Sequence, residues 1–197
     1  AETSTESVFI GLDIGTGGAR ALALTVSGTV VARAGASFPA GARHEGARHE
    51  QDPGAWWAAA REALAWLARE LESCNVSRDR VRGLAVDGTS GTVAFLDASG
   101  AALGPGIMYN DGRAAAEADE LNEATAPFPE RMGYRFAASY AAAKILWVRK
   151  HEPGILGKAR RIVHQADYVA GRLTGRYDVT DYSNALKTGY DLLEERW

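Results

Sequence analysis

The residues best suited to phosphate and metal chemistry lie near the amino terminus. An apolar run, residues 8–12, is followed by Asp13 and then by the turn Gly15-Thr16-Gly17-Gly18. Glycine carries no Cβ and tolerates positive φ, so the N–H groups of such a turn can approach an anion closely. Asp13 could hold Mg²⁺, which binds through one or two carboxylates and keeps several waters. The pattern indicates an ATP phosphate and magnesium site, and an ordinary tight hairpin stays open as the alternative.

Two other glycine motifs are excluded by their spacing. A P-loop requires a lysine directly after its last glycine, and no lysine follows here. The dinucleotide fingerprint requires glycine at position 20, which is Arg20, and a helix after the turn. Residues 19–26 instead alternate as a strand does, which favours a hairpin.

A second polar group, Asp87-Gly88-Thr89-Ser90-Gly91, follows the predicted strand 81–86. We expect it at the carboxyl end of a central strand, where open α/β sheets bind their ligands. Its carboxylate and hydroxyls can hydrogen-bond a polyol, and its glycines allow close approach. The alternative is that Asp87 or Ser90 caps a turn.

A third polar group, Asn110-Asp111-Gly112-Arg113, precedes a predicted helix, 114–122. Asp111 could be a helix cap, and Arg113 could brace Asp111 as an ion-pair partner. Lys144 lies within another predicted helix, and since a helical lysine is usually solvated, no catalytic role is predicted for it.

Composition narrows the classes of protein. The 197 residues suit one sizeable domain, and a net charge of −3 gives no electrostatic reason to expect a nucleic-acid or membrane partner. The single cysteine, Cys74, excludes an internal disulfide and fits a reducing compartment. No stretch approaches the ~18 apolar residues of a membrane helix. We therefore expect a cytoplasmic protein.

The strands and helices that would position these polar groups are predicted from the spacing of apolar residues. Three antiparallel strands are expected over residues 8–38, and Asp52-Pro53 begins a helix that runs to about Glu72 and packs Trp56 on the sheet. Residues 40–48 and 124–135 are predicted to be loops, and residues 186–190 a strand. Strands followed by alternating helices and strands predict an α/β fold.

The chain resembles the FGGY carbohydrate kinases, in the branch of the xylulokinases and D-ribulokinases. The resemblance starts at Gly11-Leu12-Asp13-Ile14-Gly15-Thr16-Gly17-Gly18-Ala19-Arg20 and continues in order along nearly the whole chain. The further matching stretches are Glu50-Gln51-Asp52-Pro53, the 87–91 and 109–113 groups, Lys144-Ile145-Leu146-Trp147, Asp167-Tyr168, Leu173-Thr174-Gly175 and Asp181-Tyr182-Ser183-Asn184.

The resemblance implies a ribonuclease-H-like fold, shared by actin, Hsp70 and sugar kinases, with a mixed central sheet flanked by helices. Residues 1–7 are polar and are expected to be a disordered tail. Residues 8–197 are expected to be an incomplete amino-terminal kinase domain, without the carboxy-terminal nucleotide-binding domain.

The implied activity is ATP-dependent phosphorylation of a pentulose, D-ribulose or D-xylulose, with Mg²⁺. Phosphoryl transfer also needs a residue that positions the attacking hydroxyl, and in this family that Asp lies beyond Trp197. The chain alone is therefore expected to be inactive. The implied site residues are Asp13 for the metal, Gly15, Thr16, Gly17 and Arg20 for phosphate, and Asp87, Gly88, Thr89, Ser90, Asn110 and Asp111 for the sugar.

The implied partners are the sugar, the missing carboxy-terminal domain and a second copy in a homodimer. Thr89 and Ser90 stand where xylulokinases typically have Met-His, which weakens D-xylulose and favours D-ribulose. Two other classes stay open, a sugar-binding or regulatory module and an ATPase of the actin or Hsp70 type.

Overall fold

The computed structural model describes residues 6–39 and 43–197. Most of the expected tail, residues 1–5, lies outside the described residues. Glu6 and Ser7 are described, and their carbonyls accept hydrogen bonds from Arg80 Nε at 2.8 Å and Val26 N at 3.3 Å.

The described residues form nine strands and seven α-helices in a mixed order. The strands are β1 Val8–Ile14, β2 Gly18–Thr25, β3 Val30–Ser37, β4 Arg43–Glu45, β5 Arg48–Gln51, β6 Val81–Gly88, β7 Val93–Leu96, β8 Gly106–Ile107 and β9 Arg161–His164. The helices are α1 Pro53–Ser73, α2 Ala115–Ala124, α3 Phe128–Met132, α4 Ala141–His151, α5 Pro153–Lys158, α6 Gln165–Thr174 and α7 Tyr182–Thr188. None of these helices is long and apolar enough to cross a membrane.

The chain divides into two compact units. The first contains the described residues up to position 39 together with Gly54–Gly88, and the second contains residues 43–53 and Thr89–Trp197.

The first unit is built on a four-stranded mixed sheet. Its strand order is β3-β2-β1-β6; β2 is antiparallel to both β1 and β3, whereas β6 is parallel to β1. The predicted three-stranded meander is confirmed. The expectation that the strand before Asp87 is central is wrong for the described residues, because β6 lies at the edge of this sheet.

The core of the first unit lies on one face of that sheet. Leu12 and Ile14 of β1 are buried, as are Ala21 and Ala23 of β2. One face of α1 is buried too, including Trp56, which is fully inaccessible as predicted. Helical spacing of Trp and Ala in α1 and alternation in the strands thus direct both apolar surfaces into one core. On the opposite face, Phe9 is 42% exposed.

The second unit has a five-stranded antiparallel sheet with the order β4-β5-β8-β7-β9. Its core brings Phe95 of β7 together with Phe136, Tyr140 and Trp147 around α2 and α4. This arrangement places residues 89–92 and 109–113 beside each other, because each segment adjoins one of the paired strands β7 and β8.

Three local predictions for the second unit are wrong. The expected loop at 40–48, of which 40–42 lie outside the described residues, contains β4 and the start of β5. Pairing of β5 with β8, more than 50 positions away, stabilises that hairpin, and local composition does not encode it.

The other two wrong predictions concern segments that are helical in the structure. The expected loop at 124–135 contains α3, which has a proline in its first turn and ends at Gly133 in the left-handed region. The expected strand at 186–190 is the end of α7 and its cap, Gly189. The Asp181 carboxylate accepts a 2.9 Å hydrogen bond from Asn184 N and caps the amino terminus of α7.

Candidate functional site

Asp13 and Asp87 lie side by side, close to the carboxyl ends of the neighbouring strands β1 and β6 in the first unit's sheet. They are Cα partners in the parallel pair β1–β6, and both line a depression of about 600 Å³ whose floor includes Gly11, Leu22 and Ala85. The Asp13 side chain is 47% exposed, so its carboxylate is accessible to a ligand. Because β1 and β6 are parallel, their carboxyl ends lie next to each other, and two acids that are 74 positions apart in the sequence become neighbours.

The glycine-rich turn joins β1 to β2, and the space around it differs from one glycine to the next. Gly15 N donates to Gly18 O at 2.9 Å and closes the turn. A Cβ on Gly18 would lie 2.2 Å from Ala36 O, so the approach of β2 to β3 requires glycine there. A Cβ on Gly17 would meet nothing within 4 Å. Thr16 and Gly17 line a second depression of about 430 Å³.

Arg20 connects these two depressions, because it lines both of them. Its Nη2 lies 3.0 Å from Asp13 Oδ2, and the two residues are partners in the antiparallel pair β1–β2. Both side chains are largely solvated, and exposed ion pairs are worth only about 0–1 kcal/mol. Either group can therefore exchange its partner for a phosphate or a cation at little cost.

The turn 89–92 of the second unit is fixed by hydrogen bonds. Thr92 N donates to Thr89 O at 3.1 Å, and Gly91 has a φ of +87°. Thr89 donates twice to Gln165 Oε1, from its N at 2.9 Å and from its hydroxyl at 2.7 Å. Ser90 Oγ donates to Ser183 O at 3.3 Å. The predicted sugar residues of this turn are thus held in one arrangement.

The 109–113 group contacts the same turn. Tyr109 N donates to Thr92 Oγ1 at 3.0 Å, and the Thr92 hydroxyl also lies 2.7 Å from that of Thr89. Tyr109 and Asn110 are exposed, so their side chains are available to a ligand. The structure therefore brings together two of the segments predicted to bind sugar.

Asp111 is buried and fully engaged by neighbouring donors. Its carboxylate accepts from Arg113 Nε at 2.9 Å, from Arg113 Nη2 at 2.7 Å and from His49 N at 2.7 Å. Burial would raise the pKa of Asp111, but the hydrogen bonds from Arg113 and His49 outweigh burial and lower that pKa. The bracing role considered for Arg113 is confirmed. A direct contact between Asp111 and a sugar stays a prediction.

Lys144 is buried, so the expectation of a solvated helical lysine is wrong. Its Nζ donates to Gly91 O at 2.7 Å and to Ser139 O at 3.1 Å. Burial lowers the pKa of Lys144 to about 7. The side chain points from α4 into the turn that carries Thr89 and Ser90, rather than into solvent.

Sequence reasoning missed Gln165, Lys144 and Tyr109 as site neighbours. One signal was available, since the pattern of residues 161–164 is typical of a strand and places Gln165 at the strand's end, where polar side chains often meet ligands. No cluster of three or more His, Cys, Asp or Glu side chains with metal-binding geometry occurs within residues 6–39 and 43–197. A cation at Asp13 would thus be held by one or two carboxylates and water, as Mg²⁺ usually is.

The predicted sites therefore fall into two groups. Asp13, Gly15, Thr16, Gly17, Arg20, Asp87 and Gly88 belong to the first unit, and Thr89, Ser90, Asn110 and Asp111 belong to the second.

Comparison with known proteins assigns the chain to a family. Residues 8–197 match the description "FGGY family of carbohydrate kinases, N-terminal domain". The chain belongs to the FGGY family. It is 31% identical over 191 residues to the xylulose kinases of Klebsiella pneumoniae and of Escherichia coli strain K12, covering 96% of this chain.

Two solved structures of sugar kinases have a similar fold. The xylulose kinase from Rhodospirillum rubrum superposes with a TM-score of 0.82 at 33% identity over 95% of this chain, and the xyloylose kinase from Brucella ovis with 0.86 at 30% identity over 96%. The expected fold class, the α/β fold of the sugar kinases with a mixed sheet flanked by helices, is confirmed. This chain spans 38% of the length of each of these four relatives.

Proposed function

We propose that this chain is the amino-terminal part of an ATP-dependent pentulose kinase. The first unit would bind the terminal phosphates and Mg²⁺, and most of the residues proposed to bind the sugar belong to the second unit. The observation that carries the proposal is Asp13, an accessible carboxylate at the end of β1, placed between a glycine turn and an arginine that lies 3.0 Å away.

The donor set fits a phosphate and a hydrated cation. Thr16 and Gly17 would offer backbone N–H groups to phosphate oxygens, and Arg20 would offer its planar fork. Gly15 would contribute by closing the turn that presents them, through its hydrogen bond to Gly18 O. Asp13 would hold Mg²⁺, which neutralises charge on the transferring phosphoryl group. The weak, exposed pairing of Asp13 with Arg20 leaves both groups available for these roles.

The sugar groups are proposed to be Asp87, Gly88, Thr89, Ser90 and Asn110, together with Asp111. Hydroxyl and amide side chains at 89, 90 and 110 suit a polyol, which offers donors and acceptors on every carbon. Asp111 would act mainly through Arg113 and the backbone, because its oxygens are already occupied.

The substrate is proposed to be D-ribulose in preference to D-xylulose. The relatives described above are named xylulose kinases, which supports a pentulose. The Thr89-Ser90 pair stands in place of the Met-His typical of xylulokinases. This difference favours D-ribulose, which is the C3 epimer of D-xylulose. We also propose that the residue positioning the attacking hydroxyl comes from the protein after Trp197, within a carboxy-terminal domain.

The test is a sugar-phosphorylation screen on the full-length protein. D-ribulose, D-xylulose, L-ribulose and glycerol are compared at fixed Mg²⁺ and ATP by coupled detection of ADP. We expect the highest kcat/KM with D-ribulose, and no turnover when the 197-residue chain replaces the full-length protein. ATP hydrolysis indifferent to every sugar would instead indicate an actin- or Hsp70-type ATPase. Calorimetric sugar binding without phosphorylation would indicate a binding module.

A further inference from the structure

Lys144 has a buried side-chain amino group with no carboxylate within ion-pair distance among the described residues. A buried amino group is costly unless its N–H donors are used, and Lys144 uses two of them on backbone carbonyls. One carbonyl belongs to Gly91, within the turn 89–92, and the other to Ser139, just before α4. Such an arrangement is expensive to maintain as packing alone, since an apolar side chain would fill the same space.

The turn that receives Lys144 is shaped for this contact. Gly91 adopts a φ of +87°, and a Cβ there would lie 2.4 Å from Ser139 O. The two carbonyls that Lys144 binds therefore belong to backbone segments in direct contact. The ammonium lies where it can offset the repulsion between the two carbonyl dipoles.

We propose that Lys144 is a positioning residue for the sugar: by fixing the Gly91 carbonyl, it sets the orientation of Thr89 and Ser90. This rests on the proposed function, because it takes residues 89 and 90 as sugar contacts. Gln165 holds the start of the turn through Thr89, and Lys144 holds its end through Gly91. The two contacts hold opposite ends of the turn, in addition to the hydrogen bonds that Ser90 and Thr92 make.

The proposal predicts a selective effect on sugar binding. In the full-length protein, Lys144→Met should raise KM for the preferred pentulose about tenfold or more, because a charge-assisted contact to the turn is lost. KM for ATP and kcat should change less than twofold. The matched control is Lys158→Met, an exposed lysine at the end of α5.

A second readout is independent of kinase activity. Hydrogen exchange of peptides covering residues 89–92 should accelerate at least tenfold in Lys144→Met, while peptides covering β1 and β2 keep their wild-type rates. If the wild-type enzyme phosphorylates no pentulose, the proposed function fails, and unchanged exchange in the turn would separately remove the anchoring role.

Two kinetic results would also overturn the proposal. One is a wild-type sugar KM in Lys144→Met, whether or not the turn exchanges faster. The other is an equal loss in sugar KM, ATP KM and kcat, which would indicate a general structural role. Should Lys144→Met fail to fold, Lys144→Gln carries the same two measurements. The glutamine side chain is shorter but retains N–H donors. The sugar KM of Lys144→Gln should therefore lie between the values expected for the wild-type protein and for Lys144→Met.

Discussion

Asp13 and Asp87 are Cα partners on the parallel strands β1 and β6, and their side chains line one depression over the sheet. Asp87 was predicted as a sugar contact, and that role stays a prediction. The register adds a second role to test, because two neighbouring carboxylates match the way Mg²⁺ is commonly held, with water completing its coordination.

Asp13→Asn should reduce catalysis far more than binding. The amide keeps the shape of the side chain but removes the charge that would attract Mg²⁺ beside the phosphates. In the full-length enzyme we expect kcat to fall by roughly 100-fold or more, the scale of losing one preorganised electrostatic group. The measurement is kcat at saturating sugar and ATP over a magnesium titration.

The control for this substitution is Asp79→Asn, at an exposed acid in the short 3-10 helix Arg78–Arg80 of the same unit. It should leave kcat within twofold of wild type. An Asp13→Asn enzyme with wild-type kcat at low magnesium would remove Asp13 from the metal site.

Gly91→Ala should destabilise the second unit. Alanine is strained at a φ of +87°, and its Cβ would stand 2.4 Å from a backbone oxygen that cannot move cheaply. We expect a loss of about 1–3 kcal/mol in unfolding free energy, measured by denaturant unfolding of the full-length protein. Gly104→Ala is the control, since a Cβ there meets nothing within 4 Å. Equal stability of the two variants would contradict the geometry of this turn.

The sequence pattern predicted those parts of the fold that depend on residues close together in the sequence. The meander β1–β3 and the helix α1 follow from alternation and from Pro53, and the accessible position of Asp13 follows from the strand end before a glycine turn. Lys144 could not be placed in this way, because its partner Gly91 is 53 positions away. The contact of Thr89 with Gln165 spans 76 positions. Each depends on tertiary packing of α4 and α6, which periodicity does not report.

Arg113→Met should be among the most damaging substitutions outside the apolar core. It would leave Asp111, whose side chain is inaccessible, without its ion-pair partner, and breaking a buried pair from one side costs about 3–5 kcal/mol. Arg176→Met breaks a solvated pair with Asp178 and should cost far less unfolding free energy, because water screens that pair. Denaturant unfolding of both variants gives the comparison, and similar losses would show that burial does not govern the Asp111 pair.

His164 should make the protein less stable in mild acid. Its ring is buried, with Nε2 2.9 Å from Thr188 Oγ1, and burial lowers the pKa of His164 from 6.5 to about 4. Between these values the unfolded chain binds a proton that the folded chain does not, so the free energy of unfolding falls as pH drops from about 6.5 to about 4. His164→Gln removes the titrating group, and the variant should lose this part of the pH dependence. His44→Gln, at an exposed histidine, should retain it. The check is the unfolding free energy of all three proteins across that range, and parallel curves for wild type and His164→Gln would show that His164 is not held neutral.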